Sequence, residues 1–263
     1  MDVGLLGSGH IARALAQGWS RPQIAARERP RLHFYDLVEH SAADLARECG
    51  GEEAASATEL VAAARMVVLA VRPRDVAAAL AGVRSHLQGK LVVSLAAGIP
   101  VATLVASLPA QTRVGRIMPN VAVAVGKGVL LLAPGTLGDD VGGVEEVFGL
   151  VGEVVTVDEA LFDAATALSG CGPGFAALFL AALEKGGRAA GLDAGTAHRL
   201  AAGAVAGAAA LGELEPDPEA IVRAVCSPGG MTAAGIAVLE YGRVPQSVAA
   251  AVLAAVAQAS RLA

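Results

Sequence analysis

The chain has 263 residues, a formal net charge of −5 and no long basic stretch, which argues against nucleic acid as a partner. That length suits two compact domains of about 100–200 residues each. It is 54% hydrophobic but only 3% aromatic, so the core is built from Ala, Val and Leu. The apolar runs Gly174 to Leu183 and Val248 to Ala257 fall short of the roughly 20 residues that span a bilayer, so no membrane partner is expected. Asp2 and an apolar run follow Met1 directly, without the basic and hydrophobic regions of a signal peptide. Cys49, Cys171 and Cys226 lack metal-ligand spacing and read as free thiols of a reducing cytoplasm, with no metal site expected.

Val3 to Leu6 reads as a first strand. It flows into Gly7-Ser8-Gly9-His10-Ile11-Ala12 and then a helical pattern. This is the strand–turn–helix setting of a dinucleotide-binding glycine motif. Gly7 permits the tight turn, Gly9 lets backbone reach a pyrophosphate, and Ala12 allows close helix–strand packing. A second strand, Arg31 to Tyr35, ends at Asp36. A carboxylate there accepts hydrogen bonds from ribose hydroxyls and repels a 2′-phosphate, favouring NADH over NADPH. The connection is longer than usual, and Arg27 and Arg29 within it offer a phosphate partner, so both NADH and NADPH stay open.

Further strands are predicted at Met66–Val71, Leu91–Leu95, Arg113–Ile117, Gly128–Leu132 and Val154–Val157. Helical segments at Ser41–Cys49, Thr58–Ala63, Asp75–Val83 and Pro100–Ser107 separate the earlier ones. Alternation of this kind predicts a parallel, doubly wound sheet covered on both faces, with the last strands antiparallel at an edge. Ligands in such sheets lie over the carboxyl ends of the strands. The segments there are Ala70-Val71-Arg72-Pro73, Ala96-Ala97-Gly98 and Met118-Pro119-Asn120. Together they describe a slot for a flat ring, with the Asn120 amide as its polar point.

After Asp158 no strand-like run remains, and six helices are predicted. The expected division is a Rossmann-like α/β domain over residues 1–158 and an all-α domain over 159–263. Several of the helices are apolar on nearly every face, as in Leu200 to Gly207. A small domain cannot bury them alone, so a second subunit is expected. Gly203 and Gly207, four apart, permit close helix approach there. Ser169 to Phe175 reads as a connector between helices. Ser227-Pro228-Gly229-Gly230-Met231-Thr232 precedes the helix-like run Ala233 to Tyr241. Its plain reading is a Pro-Gly turn capping a helix. Its other reading is a carboxylate pocket built from backbone N–H groups at a helix start.

Taken with the glycine turn ending in Ala12, these segments resemble the pyrroline-5-carboxylate reductases nearly end to end. Ala70 to Pro73 (lysine is usual at Arg72), Ala96 to Gly98, Met118 to Asn120, Ser169-Gly170-x-Gly172-Pro173 and Ser227-Pro228-Gly229-Gly230-x-Thr232 stand in that family's order. The resemblance implies that Gly7, Ser8, Gly9, His10, Ile11 and Ala12 hold the cofactor pyrophosphate. Asp36 would meet the ribose, while Ala70, Val71, Arg72, Pro73, Ala96, Ala97, Gly98 and Asn120 surround the nicotinamide half. It implies a substrate carboxylate on Ser227, Gly229, Gly230, Met231 and Thr232, with the Thr232 hydroxyl on the ring nitrogen as the catalytic contact. Glu215 would approach from a neighbouring subunit of a homodimer, and dimers would assemble further. Cys171, Phe175 and Met231 depart from the usual serine, tyrosine and small residue or threonine.

The implied reaction is cytoplasmic reduction of 1-pyrroline-5-carboxylate to L-proline by NADH or NADPH, the last step of proline biosynthesis. Hydride passes to C5 of the imine. The cofactor carries the difficult chemistry, and imine nitrogen protonates readily, so no strong general acid is required. His10 and His198 read as structural or solvated. Phe175 and Met231 motivate an alternative, a reductase of a methylated pyrroline or piperideine carboxylate. A dinucleotide-binding protein without turnover is a third reading. A β-hydroxyacid dehydrogenase needs a lysine that Glu159 to Leu183 lacks.

Overall fold

The computed structural model describes residues 1–262, with side chains described through residue 259. It divides into two compact units, Met1–Gly170 with Val256–Ala263, and Cys171–Ala255.

The first unit is built on one eight-stranded sheet. Its strands are β1 (Asp2–Leu6), β2 (Arg31–Tyr35), β3 (Glu52–Glu53), β4 (Met66–Leu69), β5 (Leu91–Ser94), β6 (Arg113–Pro119), β7 (Gly128–Ala133) and β8 (Gly152–Thr156). Their spatial order is β3-β2-β1-β4-β5-β6-β7-β8. Pairing is parallel from β3 to β6, antiparallel between β6 and β7, and parallel again between β7 and β8. The antiparallel edge is therefore a single reversal at β7.

Alternate side chains of the central strands enter separate cores. Met66 and Val68 pack with Val3, Leu15 and Trp19 on one face. Val67 and Leu69 pack with Leu60, Leu80 and Leu104 on the other. Burial on both faces is what near-continuous Val/Leu strands require. The helices α1 (His10–Trp19), α2 (Ser41–Cys49), α3 (Ala57–Ala63), α4 (Val76–Val83) and α5 (Val101–Ser107) match the predicted segments to within a few residues. The structure adds β3 and α6 (Val141–Gly149), absent from the sequence reading. Glu52 and Glu53 are exposed, and Gly142, Gly143 and Gly149 weaken the helical signal of α6. The fourth strand ends at Leu69, two residues before the predicted Val71, which leaves Ala70 and Val71 in the loop.

The segment after β8 begins with a 3-10 turn at Glu159–Leu161 and continues as α7 (Phe162–Ser169). Then come α8 (Gly172–Ala189), α9 (Ala194–Leu214), α10 (Pro218–Val225), α11 (Met231–Tyr241) and α12 (Val244–Leu262). Only Gly170 and Cys171 separate α7 from α8, and Pro173 sits in the first turn of α8, where a missing N–H costs nothing. The helical run Glu159–Ala189, 31 residues with mean hydropathy 1.6, is long and apolar enough to cross a membrane by length and composition. This corrects the expectation that every apolar run falls short. The shorter reading stopped at polar and glycine positions that the helices pass through.

The helical unit is weakly buried. Among α8 to α11 only Ala197 and Ala201, both on α9, are buried. Leu178, Val238, Tyr241 and Leu253 are each at least 69% exposed.

Candidate active site

The strand order reverses between β2-β1 and β4-β5. At that switch point the carboxyl ends of the strands open onto a cleft of about 700 Å³. Gly7, Gly9, Asp36, Ala70, Val71 and Arg72 line it, as do the small side chains Ala57, Ala78 and Ala79.

Gly7 adopts φ +103°, and a Cβ there would stand 2.9 Å from the Ala70 carbonyl, so the turn needs glycine on both counts. Gly9 is different. A Cβ there would meet no protein atom within 4 Å, so nothing in the protein's own packing demands glycine. Gly9 is also the N-cap of α1 and offers no side-chain cap, which leaves first-turn N–H groups free. The Ser8 hydroxyl is buried without a partner. Open space, free N–H groups and an orphaned hydroxyl at a helix start fit a bound phosphate. His10 is exposed, whereas Ala12 is fully buried against the sheet core as a packing residue.

Asp36 is held in place from two sides. Its Oδ2 accepts from the Ser8 N–H at 2.6 Å, and its Oδ1 accepts from the Val38 N–H at 2.9 Å. The carboxylate thus couples the glycine turn to the end of β2. Arg72, the cationic residue of the cleft lining, is tied to Asp75 at 2.7 Å.

Ala96, Ala97 and Gly98 follow β5, with Gly98 at φ +72°, but they do not line the cleft. Pro73 opens a short 3-10 turn beside it. Asn120 is buried at 7% exposure. Its Nδ2 donates to the Ser169 carbonyl at 2.9 Å, and its Oδ1 accepts from Ala122 N–H at 3.2 Å. Both ends of the amide are therefore engaged within the protein.

In the helical unit, Gly230 is the N-cap of α11 and supplies no side-chain cap. Gly229 sits at φ +70°, and the Gly230 N–H closes the turn on the Ser227 carbonyl at 2.9 Å. The loop therefore leaves the first N–H groups of α11, those of Met231 and Thr232, without a side-chain cap. Both residues are exposed, Met231 at 95%. Glu215 is exposed, and its carboxylate accepts from Asp217 N–H at 3.0 Å.

One pair of residues escaped the sequence reading. Arg116 and Glu159 form an ion pair at 2.7 Å, with Arg116 nearly buried. The only available signal was an arginine inside an apolar strand.

A doubly wound sheet with an uncapped glycine turn at its switch point, followed by a helical segment, is the architecture of dinucleotide-dependent oxidoreductases. Residues 2–98 match a family model described as NADP oxidoreductase coenzyme F420-dependent. Residues 159–262 match one described as pyrroline-5-carboxylate reductase dimerisation. The chain is 36% identical to a pyrroline-5-carboxylate reductase of Mycobacterium leprae, covering 99% of this chain and 96% of that one. It is 34% identical to the enzyme of Methanosarcina acetivorans, over 90% and 89% of the two chains. The crystal structure of Plasmodium falciparum pyrroline carboxylate reductase with NADP bound matches with a TM-score of 0.86 at 26% identity. That match covers 98% of this chain and 97% of the other. The chain belongs to the pyrroline-5-carboxylate reductase family.

Proposed function

We propose that this protein reduces 1-pyrroline-5-carboxylate to L-proline with a reduced nicotinamide dinucleotide, the closing step of proline biosynthesis. One observation carries the reading. In a chain of this family, the Ser227–Gly230 turn leaves the α11 N-terminus uncapped and exposed. An anionic group is favoured there by free N–H groups and the helix dipole.

The bound cofactor would supply hydride to C5 of the imine. The chain's own residues bind and orient. Gly9 and the start of α1 would take the pyrophosphate, with Ser8 Oγ as a further donor. With the Gly230 N–H engaged in closing the turn, the Met231 and Thr232 N–H groups would hold the substrate carboxylate, and the Thr232 hydroxyl would meet the ring nitrogen. Met231 adds bulk through its side chain but keeps its N–H. Holding donor and acceptor carbons in line converts a bimolecular step into a nearly unimolecular one.

NADH is the favoured cofactor in this reading. Asp36, in the cleft lining, would meet the adenosine ribose and repel a 2′-phosphate, and Arg72 is already paired with Asp75. Residues 159–263 would form the dimerisation and substrate-binding domain of a homodimer, with Glu215 reaching the partner's site. The exposed apolar side chains Leu178, Val238 and Leu253 support that assembly. Association of dimers into a larger oligomer and a cytoplasmic location belong to the same proposal. The three free cysteines support the location.

The test is the fall in NADH absorbance when pyrroline-5-carboxylate is added to the purified protein. Rapid oxidation supports the reading. No oxidation with this imine, but oxidation with a six-membered or methylated analogue, would transfer the function to that substrate. Phe175 and Met231 are the departures that would account for such a change.

A further inference from the structure

Arg116 on β6 is the one charged side chain among the buried described residues, at 4% exposure. Its Nη1 donates to Glu159 Oε1 at 2.7 Å. Its guanidinium carbon lies 4.5 Å over the Phe162 ring. Its Nε is buried with no partner. A desolvated guanidinium with one carboxylate and an unused donor is a poor source of stability, because the cost of removing it from water is only partly offset.

The surroundings of the pair suggest another use. The same Glu159 oxygen accepts from the Val101 N–H at 2.8 Å. Val101 opens α5, whose N-cap, Pro100, has no side chain to offer. Glu159 thus caps α5 from 58 residues away in sequence and places negative charge at a helix start. The helix begins just after Gly98. On the other side of that loop, Arg116 lies in register with Ser94, the last residue of β5. The Ser94 hydroxyl accepts from the Ala96 N–H at 3.2 Å. One ion pair therefore joins the strand beside the start of the Ala96-Ala97-Gly98 loop to the helix at its end.

We propose that Arg116 and Glu159 are positioning residues for hydride transfer. They hold the Ala96–Gly98 loop at both ends; that loop follows the carboxyl end of β5, outside the lining of the cleft beside β1, and in the reductase reading it flanks the nicotinamide ring. This rests on the reductase reading above. It does not require either side chain to touch cofactor or substrate.

Single-turnover hydride transfer from NADH and from 4-deuterated NADH, at saturating imine, tests the proposal in the full-length protein. NADH affinity from fluorescence quenching and thermal unfolding are measured alongside. Arg116→Met keeps much of the volume without the charge, and Glu159→Gln keeps an acceptor for Val101. Arg116→Met is expected to slow transfer by about ten- to hundredfold, with NADH affinity within about threefold of wild type. Glu159→Gln is expected to lose less, and the isotope effect on turnover should rise in both.

Wild-type transfer rates per folded molecule in both variants, with only a lower melting temperature, would overturn the inference. If Arg116→Met does not fold, Arg116→Lys joins Glu159→Gln and the same two outcomes decide. A wild-type protein that oxidises neither NADH nor NADPH with any of these imines would sink the reductase reading, and this inference with it. An active wild type with unaltered variants removes this inference alone.

Discussion

The Asn120 amide donates to the carbonyl of Ser169, 49 residues away, at 2.9 Å. With Arg116 bound to Glu159, β6 and the residue that follows it hold the segment containing α7 near both of its ends. Between those two ties, Phe162 and Ala165 pack with Leu131 and Ala133 of β7.

Loss of the Asn120 side chain leaves the Ser169 carbonyl and the Ala122 N–H without their partners. Asn120→Ala is therefore expected to lower stability by about 1–3 kcal/mol. The midpoint of urea unfolding checks this. Asn120→Asp should cost more than Asn120→Ala, because it turns a carboxylate oxygen toward a carbonyl. An unchanged midpoint in both would mean that the amide serves the ligand site and not the fold.

The Asp36 carboxylate should decide between the two dinucleotides. Wild type is expected to show a higher kcat/KM for NADH than for NADPH. Asp36→Ser should move that ratio toward NADPH by about tenfold, which corresponds to ~1.4 kcal/mol. Some of the loss with NADH will come from the freed Ser8 N–H, so the ratio of the two cofactors is the informative quantity. A ratio that does not move would assign Asp36 to loop geometry alone.

Gly9→Val and Thr232→Ala should separate binding from chemistry. A Cβ at position 9 meets no protein atom within 4 Å, so the fold is expected to survive, with a cost of at most about 1 kcal/mol at this N-cap. Cofactor binding should nevertheless be lost, because the side chain occupies the phosphate approach. Thr232→Ala should bind NADH normally and reduce the imine more slowly. Calorimetric NADH titration beside steady-state turnover reads both. An unchanged turnover rate in Thr232→Ala would remove the hydroxyl from the reaction.

A Cβ added at Gly203 or Gly207 would meet no atom within 4 Å, although both residues lie on the long helix α9. Gly207→Leu should therefore leave the single-chain fold intact and favour the helix locally by up to about 1 kcal/mol. If the two glycines lie at the subunit contact, that variant should shift the protein toward monomer in sedimentation velocity. A variant that stays dimeric places the contact on another helix face.

Much of the architecture was legible in the chain because its signals are local. Val/Leu strands buried on both faces, Gly7's turn and the helix-period segments each depend on a few neighbouring residues. The Ser227–Thr232 loop was also readable, since Pro-Gly-Gly followed by an apolar helix carries its own backbone chemistry. Residues Glu52 and Glu53 were illegible as a strand because parallel pairing with β2 confers it, not their side chains. Helix α6 was obscured by its glycines and is held by burial of Val144, Val147 and Phe148.

Side-chain partnerships across long sequence separations belong to the tertiary structure alone. Asn120 looked like a free amide for a ligand, and only packing shows both of its ends engaged. Arg116 stands in the sequence as an arginine inside an apolar strand, and only the fold brings Glu159 beside it. Asp36 could be placed at a strand end from spacing, but its clamping by Ser8 and Val38 N–H groups required the two loops to meet. Local periodicity and turn chemistry act within a few residues, so a sequence displays them. Burial and pairing act through space, so they are decided only when the chain has folded.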